Sequence, residues 1–215
     1  ATTAVAFATV QGVAIAEDGW YVRADIGTNY DGTFDYDPNA SIPGTMGGDA
    51  DIDPAILYGG GLGYGFENGF RLEGALTFRN NDLEVPPFVN NIGAYMPVNG
   101  AVAVFPGGDS NSWDGMLNLL YDFRRDSRLQ PYLGAGFGVS EVDVRAVNLY
   151  DAGSGAGFAA NGIDDSETGL AYQALAGFGY KLTERLTFDL GYRYFVVEDL
   201  DMAGVLSTYD STYTD

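Results

Sequence analysis

An all-β fold, an antiparallel up-and-down transmembrane β-barrel, is predicted by three features of this 215-residue sequence: alternating runs of about ten residues, faces sorted by side-chain size, and connections that alternate short and long. The alternation is plainest in residues 170–196, LAYQALAGFGYKLTERLTFDLGYRYFV. In the first arm Leu170, Tyr172, Ala174, Ala176, Phe178 and Tyr180 share one parity, and Gln173, Gly177, Gly179 and Lys181 the other. After the turn Thr183-Glu184-Arg185, Leu186, Phe188, Leu190, Tyr192, Tyr194 and Val196 oppose Thr187, Asp189, Gly191 and Arg193. A period of two means a strand with unlike faces, and two such arms around a polar turn make a hairpin.

Size decides which face points where. Glycines and charges share one face, while Phe, Tyr and Leu occupy the other. A narrow concave lumen takes glycine and a few polar groups, whereas a convex surface has room for rings. The apolar set therefore points outward, and an outward apolar band needs lipid. A soluble secreted carrier barrel, the competing fold, would turn its apolar set inward.

The chain begins with ATTAVAFATVQGVAIA, small, apolar and uncharged, ending in Ala14-Ile15-Ala16. Residues 1–16 read as the later part of a secretory signal, an apolar region followed by an A-x-A site. The competing reading is an ordinary strand, because Val5, Phe7 and Thr9 alternate. The barrel domain then occupies residues 17–215.

The first barrel strand, residues 20–28, sets Trp20, Val22, Ala24 and Ile26 against Tyr21, Arg23, Asp25 and Gly27. The second, 56–66, sets Leu62, Tyr64 and Phe66 against Gly59, Gly61, Gly63 and Gly65. Glu67-Asn68-Gly69 reverses the chain, and the third strand, 70–79, sets Phe70, Leu72, Leu76 and Phe78 against Arg71, Glu73, Thr77 and Arg79. The fourth, 112–123, opposes Trp113, Leu117, Leu119, Tyr121 and Phe123 to Asp114, Asn118 and Asp122. The fifth, 129–143, opposes Leu133, Ala135, Phe137 and Val139 to Gln130, Gly134, Gly136 and Gly138. The hairpin of 170–196 supplies the sixth and seventh. Each run is close to the 9–11 residues a tilted strand needs to cross a bilayer. Met116, Leu120, Leu175 and Phe195 break the pattern as large apolar residues on the polar face, where they act as lumen filler.

Short turns at 67–69, 124–128 and 183–185 alternate with long segments at 30–53, 80–111, 145–167 and from 198 onward. That asymmetry marks outer-membrane barrels, with short turns periplasmic and long loops extracellular. The long segments hold most of the acidic residues, while Arg124, Arg125, Arg128 and Arg185 sit in the short turns. Trp20, Phe66, Phe70, Phe78, Trp113, Phe123, Tyr180 and Tyr194 fall towards strand ends, as two interfacial girdles would.

Composition narrows the function. Thirty acidic against ten basic residues, a formal charge of -20, argues against nucleic acid, whose binding rests on Lys and Arg neutralising phosphates. No run approaches the length of a spanning helix. No Cys means no disulfide, and no His removes every imidazole base, so neither a Ser-His nor an Asp-His constellation exists. No enzyme, no cofactor and no metal centre is expected. The acidic stretch Asp49-Ala50-Asp51-Ile52-Asp53 fails the EF-hand pattern, because Pro54 replaces the turn glycine and Gly60 the bidentate Glu. It reads as a solvated loop. Residues 80–111 are the least polar long segment, with Val85-Pro86-Pro87-Phe88 and Tyr95-Met96-Pro97, and are a candidate contact surface for another protein.

The start EDGWYVRADIG, the glycine-alternating YGGGLGYGFENGFRLEGALTF, the strand PYLGAGFGV and GFGYKLTERLTFDLGYRY together resemble the transmembrane domain of the OmpA-like family of small Gram-negative outer-membrane barrels. That resemblance spans nearly all of residues 17–198 and implies an eight-strand barrel in the cell outer membrane, with outer-membrane lipid and lipopolysaccharide as surroundings. Seven strands are counted here and the last stretch, STYDSTYTD, is polar, so the expectation is a domain lacking its last strand.

The polar face carries Arg23, Asp25, Arg71, Glu73, Arg79, Asp122, Lys181, Asp189 and Arg193. Charges of mixed sign on one enclosed face are expected to pair, because an isolated buried charge is costly. The resemblance implies a similar interior network. A salt-bridged plug makes the protein a structural anchor and surface-interaction protein. Exchange of partners would instead make it a narrow porin-like channel for small solutes.

Overall fold

The chain, a computed structural model, is described over residues 5–9, 19–28, 32–38, 48–52, 55–84, 108–151, 158–203 and 208–214. It forms eleven strands among these residues: β1 Val5–Thr9, β2 Gly19–Thr28, β3 Gly32–Pro38, β4 Gly48–Ile52, β5 Ile56–Gly65, β6 Phe70–Glu84, β7 Gly108–Asp122, β8 Leu129–Asp151, β9 Phe158–Lys181, β10 Thr187–Ala203 and β11 Thr208–Thr214. All seven predicted barrel strands are present, as β2 and β5 to β10, and each pairs antiparallel with the next. Their order follows from the short turns, since each hairpin leaves no room for a crossover. Gly69 takes the positive φ its turn needs (+91°), and Phe66 and Phe70 close that turn by an N–H to carbonyl bond of 2.8 Å.

The faces are as size predicts. Trp20, Leu62, Leu76, Phe78, Leu119 and Phe137 are exposed, Phe137 at 67 %, whereas Glu73 is 0 % exposed and Asp189 2 %. A run of nine to eleven residues at about 3.4 Å per residue and a tilt near 40° rises roughly 23–29 Å, the height of an outer-membrane apolar band. On β6 that band runs from Phe70 to Phe78 and gives way to Asn80 and Asp82; on β8 it ends at Val139 and gives way to Glu141 and Asp143. Aromatic rings edge it. Trp20, Tyr64 and Phe66 pack at 5.4 and 5.0 Å near the short turns, and Tyr58 stacks on Phe78 at 5.7 Å at the opposite rim.

Inside, tyrosines fill what glycines leave open. Tyr21 stands opposite Gly63, and a Cβ there would fall within its ring; Tyr132 stands opposite Gly177, where a Cβ would come 2.7 Å from the ring carbon bearing the hydroxyl. The filler residues lie where parity puts them. Met116, Leu120 and Phe195 are buried, and Leu175 lines an internal cavity.

One expectation changes. The long segments are not simply loops: β6, β7, β8, β9 and β10 continue into them, and β3, β4 and β11 lie within them. Beyond the apolar band, hydrogen-bonded pairs run from β6 through β7, β8, β9, β10, β11, β3 and β4 back to β6, a closed circuit. The acidic stretch read as a solvated loop contains β4, paired with β3 and β6. Of residues 1–16, those described are Val5–Thr9, which form β1 antiparallel to β10 with Phe7 opposite Gly191, beside β2. β1 thus stands between the first and last barrel strands. Of the residues 80–111 offered as a contact surface, 85–107 lie outside the described residues.

The narrowness of the lumen yields a first prediction. A Cβ at Gly138 would sit 2.8 Å from the Met116 sulfur and against the Gly115 carbonyl, so Gly138→Val should cost about 1–3 kcal/mol by overpacking. The check is heat-modifiable gel migration, in which the compact band should be lost at a lower temperature than for the wild-type chain.

Candidate functional site

The inner face converges on one carboxylate. Glu73 on β6 accepts the Tyr21 hydroxyl at 3.0 Å, the Arg23 guanidinium at 2.6 Å and the Asn118 amide at 3.2 Å. These donors come from β2 and β7, and the Gln173 amide of β9 in turn donates to Asn118 Oδ1, so four strands are tied through one group. Arg23 also holds Asp25 at 2.8 Å. The acid is thus surrounded by donors from strands on either side of β6, which is what a fully buried carboxylate requires.

A second pair lies nearer the short turns, where Arg71 holds Asp122 at 2.8 Å and stacks between the Tyr132 and Tyr21 rings, 5.2 and 5.8 Å from their centres. A third lies towards the opposite rim. There Arg79 pairs with Asp114, whose other oxygen accepts the Ser140 hydroxyl at 2.6 Å, and the same guanidinium lies 4.2 Å over the Phe195 ring. Arg193 bonds Thr77 at 3.3 Å and also faces Phe195, at 5.5 Å. Above these pairs the inner face turns apolar, with Val142, Val144, Val197 and Leu200 fully buried.

Of the nine residues singled out from sequence, Arg23, Asp25 and Glu73 form one cluster, Arg71 and Asp122 a second, and Arg79 and Arg193 meet through Phe195. Asp189 is buried and borders the cavity at the short-turn mouth. Lys181 stands at that mouth and donates to the Arg125 carbonyl at 3.0 Å rather than reaching into the clusters. Arg125 there joins the turns, donating to the Phe66 carbonyl at 2.9 Å while its own carbonyl also accepts Gln130. The sequence reading left out Asp114, although its parity put it on the inner face, and the neutral partners Tyr21, Asn118, Ser140, Gln173 and Tyr132. Their signal was the same parity; what it lacked was height along the axis.

Among the described residues, a cavity of about 80 Å³ lies at the short-turn mouth and one of about 40 Å³ at mid-lumen, and Tyr132 lines both. Each holds a few waters at most. No group of three or more acidic residues suited to a metal ion occurs among the described residues.

An antiparallel wall that is apolar outside, charged within and edged by aromatic rings is a membrane-spanning β-barrel. The chain belongs to the outer membrane protein beta-barrel domain family, which it matches over residues 1–210. It is 29 % identical over 193 residues to an uncharacterized protein of Brucella melitensis, covering 83 % of this chain and 68 % of that one. A protein of Gluconacetobacter diazotrophicus described as an outer membrane protein is 29 % identical over 210 residues, covering 92 % of this chain and 51 % of its own. The fold is similar to that of the outer membrane protein OprG from Pseudomonas aeruginosa, with a TM-score of 0.51, 19 % identity and coverage of 93 % and 90 %.

Removing the hub carboxylate should be expensive. Glu73→Ala leaves Arg23 buried with Asp25 alone and strands the Tyr21 and Asn118 donors, an expected loss of about 3–5 kcal/mol. Urea unfolding in detergent micelles reads it, and the Arg23→Ala, Glu73→Ala double variant should lose less than the sum of the two single losses.

Proposed function

We propose that this outer-membrane β-barrel is a non-enzymatic membrane anchor whose lumen is sealed and whose long-connection rim is the surface for interaction with lipopolysaccharide or a protein partner. The observation that carries this reading is Glu73, 0 % exposed and bonded to Asn118 of the adjacent β7 and to Tyr21 and Arg23 of β2, two strands away, a set of buried groups that fills the path through the lumen at that height. Arg79, Asp114 and the apolar layer of Val142, Val144, Val197 and Leu200 obstruct the same path again. The absence of histidine removes the base on which acyl-transfer and protease chemistry would rest. The extended β8 and β9 support the interaction role, since they carry a paired ladder well past the apolar band. In this reading the long connections face the cell exterior and the short turns the periplasm.

The second reading is a narrow pore, favoured by the two cavities that meet at Tyr132. Recording in planar bilayers separates the two. The sealed anchor should insert without discrete current steps in molar salt; reproducible single-channel steps that vanish on heat denaturation of the sample would overturn it.

A further inference from the structure

On the outer wall, where the apolar band meets the long connections, the registers bring together groups that are scattered in the sequence. Tyr58, Phe78, Trp113 and Glu141 stand side by side on β5, β6, β7 and β8, and one row higher Asn80, Asn111 and Asp143 do the same. Between them lies a groove of about 450 Å³. β5 pairs with β6 as far as Leu57 opposite Arg79, and β4 takes up β6 at Leu83.

We infer that this groove binds the ammonium end of a membrane amphiphile whose apolar chain lies along the barrel wall below it. Three aromatic rings at one level, Tyr58 and Phe78 stacked and Trp113 beside them, offer the negative π faces that attract an alkylammonium. Glu141 and Asp143 supply formal charge, and neither has a hydrogen bond or ion pair among the described residues. Arg145, the next outward residue on β8, stands opposite Asp109 and Asp164, so the face keeps an excess of carboxylates. Arg79 borders the floor with its charge taken up by Asp114. Exposed rings beside uncompensated carboxylates suit a ligand with a cationic head. Leu76 and Leu117, exposed just below, continue the apolar path a chain would follow.

The test uses Trp113 as the reporter. The chain has two tryptophans, so Trp20→Phe leaves Trp113 alone, and the folded protein in dodecylmaltoside micelles is titrated with dodecyltrimethylammonium, dodecyl sulfate or choline. Saturable quenching or shift of the Trp113 emission by the cationic amphiphile, absent with the anionic one and far weaker with choline, is the expected result. Glu141→Gln with Asp143→Asn keeps the shape and should weaken binding at least several-fold. Phe78→Leu keeps an apolar wall without the ring and should weaken it roughly two- to thirty-fold, the range of a cation–π contact. Heat-modifiable migration confirms that each variant is folded. Equal responses to cationic and anionic amphiphiles, or a carboxylate variant that binds as the parent does, would overturn the assignment; choline binding as tightly as the chain-bearing cation would overturn its amphiphile part.

Discussion

Within hydrocarbon an amide or carbonyl without a partner costs several kcal/mol, and a sheet escapes that cost only by pairing every strand on both sides. The six successive antiparallel ladders that lead from β2 through β5, β6, β7, β8 and β9 to β10 meet that requirement for the strands between, and β1 pairs with the outer edge of β10. Curling so few strands leaves an interior of a width that side chains fill. The glycines of β5 and β9 follow from that narrowness, because the rings of Tyr21 and Tyr132 occupy the volume where their side chains would stand.

A narrow polar interior also dictates its own electrostatics. Each cation of the lumen must find a carboxylate or a ring within reach, and in an antiparallel barrel that partner usually belongs to another strand. Arg23 reaches from β2 to Glu73 on β6, Arg71 from β6 to Asp122 on β7, and Arg79 from β6 to Asp114 on β7. These bonds staple the wall from within at three heights while the ladders hold it in the plane of the sheet. The same staples leave Glu73, Arg79 and Asp114 almost wholly buried against the inner wall.

Outside the band the balance differs. β3, β4 and β11 place acidic residues directly opposite one another, Asp35 with Asp49, Asp51 with Glu84 and Asp37 with Asp210. Like charges at such positions disfavour a sheet, and Asp and Gly are poor strand formers. That is why these segments read as loops in one dimension: local preference opposes the strand, and only the neighbouring ladders, already laid down by β6 and β10, make pairing favourable there.

By itself the sequence determined the all-β class, the number and order of the seven barrel strands, and which face of each meets lipid, because a period of two and the sorting of side chains by size are local properties that survive any arrangement of neighbours. It named Arg23, Arg71 and Glu73 as inward charges for the same reason. The tertiary structure alone decided who pairs with whom. Parity gives a side chain's face and not its height, and height depends on how each strand is staggered against the next. Asp114 could be matched to Arg79, and Tyr58, Phe78, Trp113 and Glu141 aligned in one row, only once those staggers were fixed.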